Sequence, residues 1–98
     1  IMAHFSHAYR DGCSIYFTFV GYKPTQESML NCYRRAWKSG METVLKFGGT
    51  VTHHHGVGVL KRRWLDRDTP GGKALFAAGK KAIDPKGIFN PGKLYAVD

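Results

Sequence analysis

Apolar and polar residues alternate over residues 13–20, which is the pattern of a β-strand with one buried face. The face that we expect to lie in the core consists of Cys13, Ile15, Phe17 and Phe19. The opposite face is mixed in polarity and consists of Ser14, Tyr16, Thr18 and Val20. Asp11 and Gly12 form a turn signal, so the strand is predicted to begin directly after them.

Apolar residues further along the chain recur at steps of three and four, which predicts a helix over about residues 26–47. Thr25 has the residue type of an N-cap, and Gly48–Gly49 supplies the left-handed residue that ends a helix. The remaining predicted elements are a short strand at 50–52, helices at 59–67 and 73–83, and a chain of turns at 86–93.

Together these elements predict an α+β fold, in which a small antiparallel sheet is flanked by helices. A length of 98 residues allows one domain or a piece of a larger one, and an apolar fraction of 43% excludes an intrinsically disordered chain. No stretch has the roughly 20 apolar residues that a membrane-spanning helix needs. Cys13 and Cys32 form no metal or redox motif, so we expect two buried free thiols and a reducing compartment.

The chain carries 15 Lys and Arg residues against 7 Asp and Glu residues, a formal net charge of +8. This balance favours anionic partners without choosing among nucleic acid, anionic lipid and a phosphorylated metabolite. Basic residues concentrate at 61–63 beside Trp64, and such a pairing can stack on bases. Leu60, Trp64 and Leu65 fit a buried stripe, and for the basic residues we favour a solvated face. A contribution to the potential of a nearby site comes second, and nucleic-acid binding third.

Three consecutive histidines at 53–55 lead into the glycine-flanked segment 56–58. Imidazole titrates near neutral pH, so such a cluster can carry protons or hold an anion. Side chains that leave a strand alternate in direction, so at most two of the three face one site unless the glycines permit a bend. His4 and His7 could complete a metal site, but no carboxylate lies close in sequence and we expect no metal.

Three segments resemble the C-terminal end of FAD-linked oxidases of the vanillyl-alcohol oxidase type: residues 6–17, 53–58 and 84–93. The triple histidine and the strand with Tyr16 are more particular, and resemble those of the alkyldihydroxyacetonephosphate synthases of ether-lipid synthesis. The resemblance covers nearly the whole chain. It implies a cap-domain portion at about 1–83 and a tail at about 84–98 that returns to an FAD-binding domain.

The resemblance implies an FAD-dependent enzyme that exchanges an acyl for an alkyl group on a dihydroxyacetone phosphate ester. It implies that Tyr16, His54 and His55 are catalytic proton carriers, although a mid-strand tyrosine is by position more often a core residue. It also implies that His53 and Asn90 contact the cofactor. A phenol and an imidazole can serve as general acid and base when they lie within hydrogen-bond reach of the substrate. FAD is expected in the full-length protein, whereas the segment alone should neither hold flavin nor turn over.

The related 2-hydroxy-acid oxidases and dehydrogenases are the alternative that the resemblance leaves open. The dehydrogenases bind a metal through two histidines of the first strand region and a Glu that precedes a His-Gly pair. Here His7 matches the first histidine, and His54 stands in place of the Glu. Ile15 and Tyr16 stand where the second histidine would lie. These departures disfavour both a metal and hydroxy-acid oxidation.

The partner that the resemblance implies is a phosphorylated lipid or small-molecule substrate rather than nucleic acid. Peripheral membrane contact and a homodimer stay open. Residues 96–98 do not form a peroxisomal targeting tripeptide, so a cytoplasmic setting is expected.

Overall fold

A computed structural model describes residues 1–95, which form two strands and three helices. In chain order the elements are β1 (Met2–Tyr9), β2 (Gly12–Thr18), α1 (Gln26–Lys46), α2 (Gly58–Asp68) and α3 (Gly72–Ile83). The predicted α+β fold with a small antiparallel sheet is confirmed. The chain divides into two compact units, residues 1–37 and the residues from 38 onward, and the division falls within α1.

The sheet of the first unit is an antiparallel hairpin of β1 and β2. Its turn includes Asp11, as the sequence predicts, and its register sets His4 opposite Tyr16. The pairing becomes irregular after Ser6, where His7 adopts a left-handed φ of 51°. Such a bulge bends the end of a strand and changes the direction of its side chains.

The sequence pattern does not predict β1, and the strand that it does predict at 50–52 is wrong. Residues 50–52 lie in an irregular segment, because side chains and not a neighbouring strand satisfy their polar groups. The backbone N–H of Val51 donates to Asp68 Oδ1 at 3.3 Å, and the Thr50 hydroxyl donates to Asp68 Oδ2 at 2.8 Å. Hydrogen bonds from a side chain take the place of those that a neighbouring strand would provide, and they compete with the strand preference of β-branched residues.

The apolar face of β2 is exposed, so its predicted burial is wrong. All the side chains expected in the core are exposed: Cys13, Ile15, Phe17 and Phe19. Half of the Phe17 surface is accessible, whereas Ser14 and Tyr16 on the mixed face are half-buried. A two-stranded ribbon buries a face only where a second layer covers it, and alternation alone does not supply that layer.

Both cysteines are exposed free thiols, which contradicts their predicted burial. Cys13 lies on the same exposed face of β2, and Cys32 lies on α1. A cysteine behaves as a small apolar side chain, and it is buried only where the face that carries it is covered.

Helix α1 agrees with the predicted helix and has the predicted ends. The Ser28 N–H donates to Thr25 Oγ1 at 3.2 Å, so Thr25 caps the N-terminus. At the other end, the Gly49 N–H donates to the Val44 carbonyl at 2.9 Å. Gly48 adopts a φ of 73°, a conformation that only glycine accepts without strain, and the helix stops there.

A small apolar core lies in the second unit. Its members are Val57, Leu65 and Tyr95, with Phe76 packed against them. The Tyr95 hydroxyl also forms a hydrogen bond with Thr69, which ties the tail to the end of α2. A Cβ at Gly72 would overlap the Tyr95 hydroxyl, so glycine is required where α3 begins.

Helices α2 and α3 confirm the two shorter predicted helices. Trp64 and Leu65 of the predicted stripe are buried, but Leu60 is 53% exposed and its predicted burial is wrong. The buried turn of α2 is that of Trp64, which contacts Glu42, and Leu65, which belongs to the core. Leu60 lies one turn earlier on the helix and is therefore outside these contacts.

A buried carboxylate organises the turns that follow α3. Asp84 is 5% exposed and accepts hydrogen bonds from the N–H groups of Ile88 and Phe89, each at 3.0 Å. Lys80 forms an ion pair with Asp84 and also donates to the Phe89 carbonyl. The Lys80 ammonium, together with the two backbone donors, holds the pKa of the Asp84 carboxyl below its usual range in spite of burial.

We expect Asp84→Asn to lower the midpoint of thermal unfolding by several degrees at neutral pH, because the ion pair is lost. A depressed folded-state pKa stabilises the protein above the unfolded-state pKa of about 3.9, and that stabilisation is lost as the pH falls through the folded-state pKa. The difference between wild type and variant should therefore close below about pH 4. Thermal unfolding followed by circular dichroism over this pH range measures it.

Asp66 of α2 is exposed, so Asp66→Asn is the matched control and should leave the unfolding midpoint nearly unchanged. Equal shifts in the two variants would contradict the role given to Asp84. A shift of the unfolding midpoint in Asp84→Asn that stays constant below pH 4 would also contradict it.

Turns follow α3 over residues 86–93, as predicted, and Asn90 adopts a φ of 45° within them. The end of the predicted tail, and with it the 96–98 segment on which the targeting prediction depends, lies outside the described residues. None of the helices that residues 1–95 form combines the length and the apolar content that a bilayer span requires.

Candidate active site

Hydrogen bonds hold both ends of the loop that carries the three histidines. Asp68 binds Thr50 and Val51 before the loop, and the Thr52 hydroxyl donates across it to the Gly56 carbonyl at 2.7 Å. Gly56 closes the loop with a φ of 75°, in the region that glycine tolerates best. The histidines therefore lie in a closed loop directly before α2.

The three imidazole rings contact one another in chain order. The ring centroids of His53 and His54 are 5.0 Å apart at an interplanar angle of 85°, and those of His54 and His55 are 4.4 Å apart at 87°. All three side chains are exposed. The segment is bent and not extended, so the alternation that limits a strand to two rings on one side does not apply.

The first two histidines are close enough to share a proton. The Nδ1 atoms of His53 and His54 lie 2.7 Å apart. In such a contact one nitrogen carries the hydrogen and the other presents its lone pair. The pair can therefore hold one proton between its facing nitrogens but not two, which suits chemistry in which a proton is taken up at one step and returned at another.

Tyr16 lies in the first unit, half-buried on β2 and paired with His4. The two rings have centroids 6.1 Å apart at an angle of 52°. The sequence alone indicates His4 only as a candidate metal ligand, because its position opposite Tyr16 depends on β1, which was not predicted. A hairpin prediction, with a second strand before the turn at Asp11, would have placed His4 opposite Tyr16. The convergence of Tyr16 with the histidines of the second unit stays a prediction.

Asn90, the other residue expected to contact the cofactor, is exposed in the turns after α3. The residue before it, Phe89, is held through its N–H by Asp84 and through its carbonyl by Lys80. The ion pair therefore fixes the chain directly in front of Asn90. The roles of Asn90 and His53 toward a cofactor stay predictions.

Arg62, Arg63 and Arg67 of α2 are exposed, as a solvated face requires, and each also has a partner. Arg67 Nη1 donates to Glu42 Oε2 at 2.7 Å, and the Arg63 guanidinium lies over the Trp64 ring, 3.9 Å from its centroid. Arg62 donates to a backbone carbonyl of the C-terminal tail at 2.7 Å. The partners of Arg62 and Arg67 come from the tail and from α1, so a run of basic residues in the sequence does not reveal them.

Comparison with known protein families covers nearly the whole chain. Residues 1–94 match the family described as FAD linked oxidases, C-terminal domain. The chain belongs to this family. The resemblance carried by the tyrosine strand, the histidine loop and the tail is thereby confirmed at the level of the family.

Two curated relatives are alkyldihydroxyacetonephosphate synthases. The protein of Trypanosoma brucei brucei is 43% identical over 95 residues, which are 96% of this chain and 15% of the relative. The protein of Dictyostelium discoideum is 39% identical over 95 residues, with the same shares. This chain therefore spans about 15% of the length of these two curated relatives.

A third relative has a different name and a shorter match. The D-2-hydroxyglutarate dehydrogenase of Stutzerimonas stutzeri is 43% identical over 56 residues, which are 56% of this chain and 12% of the relative. No solved structure matches the chain significantly.

Proposed function

We propose that this chain is the C-terminal part of an FAD-dependent enzyme of the alkyldihydroxyacetonephosphate synthase type. The enzyme exchanges the acyl group of a dihydroxyacetone phosphate ester for an alkyl group. The observation that carries the proposal is the 43% identity to a synthase over 96% of the chain, a span that includes both the strand of Tyr16 and the histidine loop.

In this proposal His54 and His55 carry protons, and Tyr16 is a third acid–base group. The exchange requires one proton to be removed at carbon and others to move between oxygen atoms, so it needs groups that both accept and donate. The 2.7 Å contact of His53 with His54 supports this role, because a proton taken up by one ring can pass to the next.

The donor groups of the chain fit FAD as the cofactor. The exposed imidazole of His53 and the exposed amide of Asn90 both offer N–H donors, and a flavin ring presents carbonyl and ring-nitrogen acceptors. Asn90 itself has a positive φ, and so does Gly56, which closes the loop that carries His53. When bound, FAD supplies the electron-accepting ring system against which the substrate carbon is activated.

The wider arrangement follows from the same proposal. Residues up to about 83 contribute to a cap over the reacting groups, and the residues from 84 run toward an FAD-binding domain elsewhere in a longer protein. The substrate is a phosphorylated lipid or small molecule, which agrees with the net charge of +8. Peripheral membrane contact would suit a substrate with a fatty chain, and a homodimer is an arrangement that sedimentation of the full-length protein would detect.

The second candidate is FAD-dependent oxidation of a 2-hydroxy acid, and the match to a D-2-hydroxyglutarate dehydrogenase over 56 residues favours it. The two functions differ in what happens to the flavin. An enzyme that oxidises a hydroxy acid reduces its flavin, whereas the proposed exchange leaves the flavin oxidised at the end of each cycle.

Anaerobic mixing of the full-length flavoprotein with D-2-hydroxyglutarate distinguishes the two functions. We expect the visible absorbance of oxidised flavin to persist for many minutes. A dehydrogenase would bleach it within its turnover time. Rapid and stoichiometric bleaching by the hydroxy acid would overturn the proposed exchange activity.

A further inference from the structure

A cleft of about 230 Å³ opens on the second unit, and no histidine lines it. Its walls are formed by Lys38, Glu42, Arg63, Trp64 and Arg67. Three of these side chains are cationic and one is a carboxylate, so the charge of the lining is positive. The cleft is therefore a place where an anion would be attracted.

The single carboxylate of the cleft is already occupied by two donors. Glu42 Oε1 accepts from Trp64 Nε1 at 2.8 Å, and Glu42 Oε2 accepts from Arg67 Nη1 at 2.7 Å. These hydrogen bonds, that of Arg67 foremost, hold the pKa of Glu42 below its usual range, so the group is ionised at neutral pH. Glu42 thus neutralises Arg67 and fixes the Trp64 ring in the wall of the cleft.

Two cations of the cleft, Lys38 and Arg63, form no ion pair within residues 1–95, although the charge of Lys38 also helps to lower the pKa of Glu42. Across residues 1–95 the ion pairs join Arg67 to Glu42 and Lys80 to Asp84, so Lys38 and Arg63 take part in neither. The Arg63 guanidinium is held over the Trp64 ring at 3.9 Å. A stacked guanidinium uses its face for the ring and keeps the N–H donors at its edge for a second partner.

We propose that this cleft binds the phosphate group of a ligand, with Arg63 donating paired N–H groups and Lys38 supplying a second charge. Guanidinium groups match phosphate oxygens in a two-point geometry, and the stacking on Trp64 reduces the conformational freedom that Arg63 loses on binding. The site goes beyond the exchange chemistry proposed above and does not depend on it. Soluble phosphate and the headgroup of an anionic lipid would present the same chemistry.

Calorimetric titration of the full-length protein with inorganic phosphate tests the site. The double variant Lys38→Gln/Arg63→Gln should raise the Kd at least about tenfold, because it removes two charge-assisted contacts. It leaves the hydrogen bonds of Glu42 in place, so the fold is expected to persist, and circular dichroism checks this. Added NaCl should weaken binding to the wild type.

The matched control is Lys73→Gln/Lys81→Gln, which removes the same charge from exposed positions of α3 and should change the Kd by less than about threefold. Sedimentation with phosphatidylcholine vesicles, with and without phosphatidic acid, separates the two sources. Binding of inorganic phosphate alone assigns a soluble ligand, and cleft-dependent binding to phosphatidic acid assigns a headgroup. The proposal is overturned if neither probe binds, or if both double variants weaken binding equally.

Discussion

His54→Ala in the full-length flavoprotein is expected to lower the rate of alkyl exchange by about 10²–10⁴-fold while FAD stays bound. The change removes the middle ring of the histidine cluster, so the 2.7 Å contact with His53 and the edge-to-face contact with His55 are both lost. Incorporation of a labelled fatty alcohol measures the rate. The visible spectrum of the purified variant reports retention of the flavin.

Tyr16→Phe tests the phenol as a proton carrier and is expected to lower the rate by a similar factor. Phenylalanine keeps the ring opposite His4 on the hairpin and removes only the hydroxyl that can carry a proton. Tyr22 is 82% exposed and lies outside both strands, so Tyr22→Phe is the control and should retain the wild-type rate. Full activity in both His54→Ala and Tyr16→Phe would refute the assigned roles.

Trp64→Ala is expected to destabilise the protein by about 3–5 kcal/mol, the range for removing a buried tryptophan ring. Trp64 is 3% exposed, and its indole N–H binds Glu42. The change therefore leaves a cavity and takes a hydrogen-bond donor from a carboxylate that α2 relies on for its contact with α1. Urea denaturation followed by far-ultraviolet circular dichroism gives the free energy of unfolding.

The matched control for this loss lies on the same helix. Leu60 is 53% exposed, so Leu60→Ala should change the free energy of unfolding by less than about 1 kcal/mol. Trp64→Phe should fall between the two, because it keeps most of the ring and loses the donor to Glu42. A loss from Leu60→Ala as large as that from Trp64→Ala would contradict the location of the core of the second unit.

The helices could be predicted from the sequence because their signals are local. The cap at Thr25, the left-handed stop at Gly48 and the apolar steps between them all act within a few residues. The strands are harder to predict, because a strand forms only where a partner strand provides its hydrogen bonds. β1 becomes a strand by pairing with β2 across a turn, and a bulge at His7 interrupts this pairing. The β-branched segment at 50–52 instead forms hydrogen bonds with the side chain of Asp68, at the end of α2.

The candidate site shows the same difference between what is local in sequence and what depends on tertiary contacts. The histidines and Tyr16 stand out by residue type and by resemblance to a family, whereas their neighbours are set by tertiary contacts. The place of His4 opposite Tyr16 depends on hairpin register, and the cleft of Lys38 and Arg63 depends on packing between α1 and α2. The predicted burial of Phe17 is wrong. Alternation identifies an apolar face of a strand, but it does not show that a second layer covers that face.

The most direct measurement is a balance of products made by the purified full-length flavoprotein from an acyl dihydroxyacetone phosphate and a labelled fatty alcohol. We expect one alkyl group to enter the product for each fatty acid released, with the flavin oxidised before and after. Release of fatty acid without incorporation of the alcohol, or no reaction by a protein that holds its flavin, would contradict the proposed exchange.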